Sequence, residues 1–142
     1  PRWSFAVLGG GAWNVPTPLT VRQSGQPDIN LKAHYETRPF EDSPYYAFRV
    51  GRHAAGRGWE FEFLHHKLYL TNRPDTIERF EITHGFNVFS LNRVFHGRRV
   101  EWRTGGGLVI AHPESTVRGR ALPGDRGLSG RGYYIAGALA QG

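Results

Sequence analysis

Histidine is the residue type here that most invites chemistry, and His34, His53, His65, His66 and His84 are many for a chain of 142 residues. A metal ion needs ligands that converge, yet no His-x-His or His-x3-His spacing occurs among them. The adjacent His65 and His66 point to opposite faces of a regular strand, so no metal site and no cofactor is expected. Those histidines fit better as hydrogen-bonding partners of Glu60, Glu62 or Glu81. The glycine triplets at 9–11 and 105–107 lack the following Gly-Lys-Ser and helix start of a phosphate-binding loop. They read as strand glycines.

The polar residues instead sort by parity, which points to the elements that position them. In the segment 29–38 the odd positions are Ile29, Leu31, Ala33, Tyr35 and Thr37, and the even ones are Asn30, Lys32, His34, Glu36 and Arg38. A strand sends alternate side chains to opposite faces, so this segment has one greasy and one ionic face. The same alternation runs through 3–8, 45–53, 100–110 and 133–140. In 59–70 the apolar phase changes parity near His65 and His66, and in 79–95 it changes after Val88, which predicts a bulge shared by two neighbouring strands. Segment 113–131 has no periodicity and carries Arg118, Arg120, Arg126 and Arg131, so it is expected to be a basic loop.

These patterns predict an all-β, single-domain chain over 1–142, folded as an antiparallel transmembrane β-barrel. Seven strands are counted, or eight if 19–22 forms one. Eight is the smallest even count for a bacterial barrel, and a further strand beyond Gly142 is the other way to reach it. No apolar run is long enough for a spanning helix, but a spanning strand needs only about 9–11 alternating residues. A soluble lipocalin-like carrier, apolar inside and polar outside, is the alternative arrangement. Gly11-Ala12-Trp13 even matches the Gly-x-Trp that opens lipocalins. The membrane arrangement is favoured because Trp3, Tyr46, Trp59, Trp102 and Tyr133 lie near strand ends on the apolar face, as interfacial girdles do. The other face carries Lys32, His34, Glu36, Arg49, His53, Glu60, Glu62, Glu81, Asn87, Glu101 and Arg103 among Gly and Ala. Opposite charges can satisfy one another there in a narrow lumen.

One stretch resembles a known family. The run 80–93, with His84 and then Asn87 three residues on, resembles the outer-membrane lipid A 3-O-deacylases, whose motif is His-x-Ser-Asn in a barrel strand with an acidic residue downstream. On that resemblance His84, Asn87 and Glu101 would be the catalytic candidates. The nucleophile position, however, is occupied by Phe86, which cannot attack an ester, and Ser90 lies six residues past His84. The expectation is therefore a non-catalytic outer-membrane barrel with a structural or docking role, a lipid A deacylase-like hydrolase being the alternative. The net charge of +6 and pI near 10.2 suit an anionic partner: membrane lipid, lipopolysaccharide or an acidic face of a partner protein. Nucleic acid is not expected. The absence of an initial methionine implies a start after a cleavage or a fragment, and the former fits a signal peptide removed on export; the barrel pattern is what implies the bacterial outer membrane.

Overall fold

The computed structural model describes residues 1–42, 44–123 and 125–142. Ser43, in the run Glu41-Asp42-Ser43-Pro44 whose residue types predict a turn, and Gly124, in the predicted basic loop, lie outside the described residues. The architecture is all-β and antiparallel, with no helix among the described residues. In chain order the strands are β1 (Arg2–Gly9), β2 (Thr17–Val21), β3 (Ile29–Ala33), β4 (Tyr35–Glu36), β5 (Tyr46–Ala54), β6 (Arg57–Leu70) and β7 (Ile77–His96). They continue with β8 (Glu101–Ala111), β9 (Glu114–Val117), β10 (Arg120–Ala121) and β11 (Tyr134–Gln141).

The main sheet runs β1-β5-β6-β7-β8-β11. β4 pairs with the end of β6, and β9 pairs with β7 while carrying β10. β1 and β11 stand at the ends of this path and do not pair with each other among the described residues, so the sheet is open. Turn chemistry sets the β5–β6 register. Ala55 and Gly56 both have positive φ (49° and 76°), and Ala54 pairs with Arg57 across them. That is the two-residue hairpin whose twist matches the flanking strands.

Two expectations need correction. The segment 29–38 is not a wall strand. It breaks at His34, whose N–H donates to Asn72 Oδ1 and whose carbonyl accepts from the Thr71 N–H. Its first half, β3, pairs only with β2, making a separate two-stranded hairpin, so the short strand near Leu19 is real but lies outside the main sheet. The stretch 113–131 is also more ordered than its lack of periodicity implied. Arg118 and Gly119, again both at positive φ, turn β9 into β10, and the Arg118 guanidinium reaches Gln23 Oε1 (3.3 Å) and the Pro27 carbonyl (2.9 Å).

A bulge is present between β6 and β7, but the extra residues are all in β7 and lie before Val88 rather than after it. His66 pairs with Phe86, but the next pair is Leu68 with Ile82, so Thr83, His84 and Gly85 of β7 stand opposite Lys67 alone. Beyond it the molecule packs in the ordinary way: Ala33, Leu70, Ile77 and Val117 form a buried core covered by Leu19, Val21, Ile29, Leu31, Tyr35 and Phe80. Before it the burial is reversed, and the bulge divides the two regimes.

Candidate functional site

In an antiparallel sheet, residues directly opposite each other share a face. The register therefore lays the main sheet out in transverse rows. One face carries Phe5, Val50, Phe61 and Leu91 in one row, and Val7, Phe48, Phe63, Phe89 and Leu108 in the next. The other carries Ser4, Gly51, Glu60, Asn92 and Gly105, then Ala6, Arg49, Glu62, Ser90 and Gly107. Soluble proteins bury the first kind and wet the second. Here Phe61 is 40% exposed and Leu91 54%, whereas Glu60 is 4% exposed and Asn92 0%.

The buried carboxylates are paired. Glu60 and Glu62 lie two apart on β6 and so point the same way, and Arg49 across on β5 contacts Glu62 and lies 3.8 Å from Glu60. Arg103 reaches over from β8, its Nε donating to Glu60 Oε1 at 2.8 Å, and also contacts Glu101. β8 itself lies close against β7: a Cβ at Gly105 would collide with the Leu91 carbonyl and the Asn92 amide, and one at Gly107 with the Phe89 carbonyl. Nearby, Gln141 on β11 donates to Asn92 Oδ1 (2.7 Å) and Ser90 Oγ (3.2 Å), satisfying buried polar groups that would otherwise be costly.

The network continues to the end of the sheet where the two-residue β5–β6 turn lies. Glu101 accepts from His96 Nδ1 at 2.5 Å, His96 Nε2 lies 2.9 Å from His53 Nδ1, and His53 Nε2 lies 2.7 Å from Ser4 Oγ. A carboxylate only accepts, so with both rings neutral every proton has one place. His96 Nδ1–H donates to Glu101, His53 Nδ1–H donates to His96, and the Ser4 hydroxyl donates to His53. Two glycines seat the His53 ring. A Cβ on Gly51 would strike His53 Nε2 and approach Ser4 Oγ to 2.7 Å, and one on Gly58 would strike the ring from β6. His53 and His96 also line an open cavity of about 560 Å³ shared with Arg2, Ala54 and Gly56.

Of the predicted polar cluster, the structure brings Arg49, His53, Glu60, Glu62, Glu101 and Arg103 together. Lys32 and His34 are exposed on the hairpin side, and Glu36 pairs with Arg38 there, because β3 and β4 left the main path. The hydrogen bond from Arg38 to Glu36 raises the Arg38 pKa above its usual value. Glu81 lies beyond the bulge with Arg79, which also contacts Glu114; the hydrogen bond to Glu81 raises the Arg79 pKa. Burial raises the Tyr35 phenol in the same region.

The three catalytic candidates are not assembled. His84, in the bulge, is exposed and bonds Glu114 Oε1 at 2.6 Å. Asn87 points to the apolar face, where its Oδ1 lies 2.9 Å from His65 Nδ1. Glu101 sits at the far end of β8 beside His96. The bulge turns His84 away from Asn87, and Asn87, paired with Ile110, lies near one end of the β7–β8 ladder whereas Glu101, paired with His96, closes the other. As expected, His65 and His66 take opposite faces, and His66 Nε2 instead meets Asn14 Oδ1 at 3.1 Å. Among the described residues, no group of three His, Asp or Glu side chains is placed to hold a metal. Ser4 and His96 were not singled out from the sequence. Ser4 shares the parity of the polar face, but its partner is 49 residues away.

No protein-family model matches the sequence, and neither a curated protein nor a solved structure shows significant similarity to it. The function therefore rests on the geometry.

Proposed function

We propose that the main sheet is the wall of a bacterial outer-membrane β-barrel with a structural or docking role. The observation that carries this reading is the reversed burial of Phe61 against Glu60 on β6, repeated at Leu91 against Asn92 on β7. Exposed aromatic rows are costly in water and favourable in lipid, while a polar lumen satisfies its own charges. A lipocalin-like carrier would turn the same faces the other way.

The next row outward supports the reading further. It places Trp3, Arg52, Trp59 and Arg93 side by side, with Arg52 5.9 Å from the Trp3 ring and Arg93 5.1 Å from the Trp59 ring. Trp sits at the interface between hydrocarbon and head groups, and Arg beside it meets phosphate. From Arg57 to His66 at the bulge, the strand is about 33 Å long at roughly 3.3 Å per residue, or about 23 Å once tilted by about 45°. That matches the apolar band of about 25 Å expected of such barrels. The bulge would then mark the membrane boundary, with the β2–β3 hairpin, β9 and β10 standing in water as a cap over their own core. Bacterial barrels have at least eight strands. On this reading the free edges of β1 and β11 are joined through further strands rather than to each other. Basic residues of the cap, Arg118 and Arg120 among them, would lie against anionic head groups, lipopolysaccharide phosphates or a partner protein.

The test is extraction. The expected result is a protein that stays with the membrane pellet through alkaline carbonate, dissolves only in detergent, and migrates faster on a gel unheated than boiled. Ready solubility without detergent, with one mobility in both states, would contradict the reading.

A further inference from the structure

The geometry points to a nucleophilic serine at Ser4, and we infer that the relay Ser4–His53–His96–Glu101 hydrolyses carboxylic esters that carry an anionic group close to the ester. The placement of that substrate at a membrane rests on the barrel reading, whereas the chemistry at Ser4 does not.

A serine hydroxyl becomes nucleophilic when an acceptor nitrogen stands ready to take its proton and that ring is itself held in the right tautomer. His53 Nε2, 2.7 Å from Ser4 Oγ, is that acceptor. His96 and Glu101 are positioning residues: through the 2.9 Å and 2.5 Å contacts they keep the remaining proton of His53 on Nδ1. The wider network adds a charge argument. Glu101, bonded to His96 Nδ1, is the carboxylate of this network nearest the rings and supplies the counter-charge for the imidazolium His53 becomes during reaction. Gly51 on its own strand and Gly58 on the next both yield their side-chain space to His53, which holds the ring against Ser4. The cavity beside the two rings admits substrate, and Arg2 on its wall supplies the site for a phosphate or carboxylate.

The steps balance without a co-reactant other than water. Ser4 Oγ bonds to the acyl carbon as its proton passes to His53 Nε2. The tetrahedral adduct then collapses, breaking the bond to the alcohol oxygen, which leaves with the proton from Nε2. Water, giving a proton to Nε2, attacks the acyl-serine. The carboxylic acid departs and Ser4 recovers its proton.

The experiment uses the folded protein, in detergent if it needs one, with folding verified by gel mobility or circular dichroism. A fluorophosphonate probe should label Ser4, as located by peptide mass. Labelling and hydrolysis of para-nitrophenyl butyrate should fall by about 10²–10⁴-fold in Ser4→Ala and His53→Ala. Glu101→Gln should lower kcat with KM unchanged. Dihexanoyl phosphatidylglycerol as monomers against dioleoyl phosphatidylglycerol in vesicles then distinguishes a free from a membrane-borne ester. Absence of label from folded wild-type protein, label on a different serine, or equal hydrolysis by Ser4→Ala would overturn the inference. A protein that is soluble without detergent but labelled at Ser4 would overturn the barrel and leave the relay standing.

Discussion

Replacing Arg49 with alanine is expected to lower folding stability by about 3–5 kcal/mol, the usual cost of leaving one partner of a buried ion pair uncompensated. Glu62 is 9% exposed, and Arg49 is its ion-pair partner among the described residues. Glu60, by contrast, keeps Arg103 when Arg49 is removed. The loss should therefore concentrate on Glu62, and the double variant Arg49→Met/Glu62→Met should recover much of it, because a matched apolar pair removes both desolvation penalties. Urea unfolding monitored by tryptophan fluorescence reads the effect as a shift in midpoint at constant slope. A single variant within about 0.5 kcal/mol of the parent, the range of ordinary surface changes, would show that this face is solvated.

Phe48→Arg is the second large expected effect, because depth makes it diagnostic. Phe48 lies in the row with Val7 and Phe63, between the Trp/Arg row on one side and the Tyr46–His65 row on the other. An arginine facing lipid near the bilayer midplane costs roughly 2–4 kcal/mol in a barrel, against roughly 0–1 near the interface. Thr104→Arg, on the same face but level with Arg93, should accordingly be close to neutral. If both substitutions are neutral when folding is measured into vesicles, the apolar face does not meet hydrocarbon.

The sheet was largely readable as parity. Alternation in 45–53, 59–70, 79–95 and 100–110 marked out four adjacent strands. The phase change near His65 and His66 lay beside the bulge, whereas the one after Val88 fell in regular ladder. The reason is that β7 bulges earlier, at Thr83 to Gly85, and by two residues, which leaves the parity of later side chains unchanged. Parity identifies faces but not partners. The most regular segment, 29–38, splits at His34, where hydrogen bonds from Thr71 and to Asn72 interrupt it: its first half joins β2, and only Tyr35 and Glu36 reach the main sheet, at the end of β6. The ionic members Arg49, Glu60, Glu62 and Arg103 could be named from alternation because opposite charges on one face of neighbouring strands find each other. The relay could not. Ser4 is one small residue among apolar ones, His96 falls in a turn-like run of His and Arg, and their meeting at His53 depends on register across three strands separated by 43 and 49 residues. The spacing of His84 and Asn87 does not become proximity, because the bulge leaves His84 bonded to Glu114 and Asn87 beside His65.

The most direct test of the inverted sheet uses the absence of cysteine from the chain, which makes single-site spin labels unambiguous. Labels at Phe5→Cys and Val7→Cys, compared with Ala6→Cys and Leu8→Cys on the same edge strand, should alternate in vesicles. Odd positions should be relaxed preferentially by oxygen dissolved in lipid, and even positions by a water-soluble nickel chelate. Equal access of the chelate to all four, or the opposite alternation, would contradict a sheet whose aromatic face meets lipid.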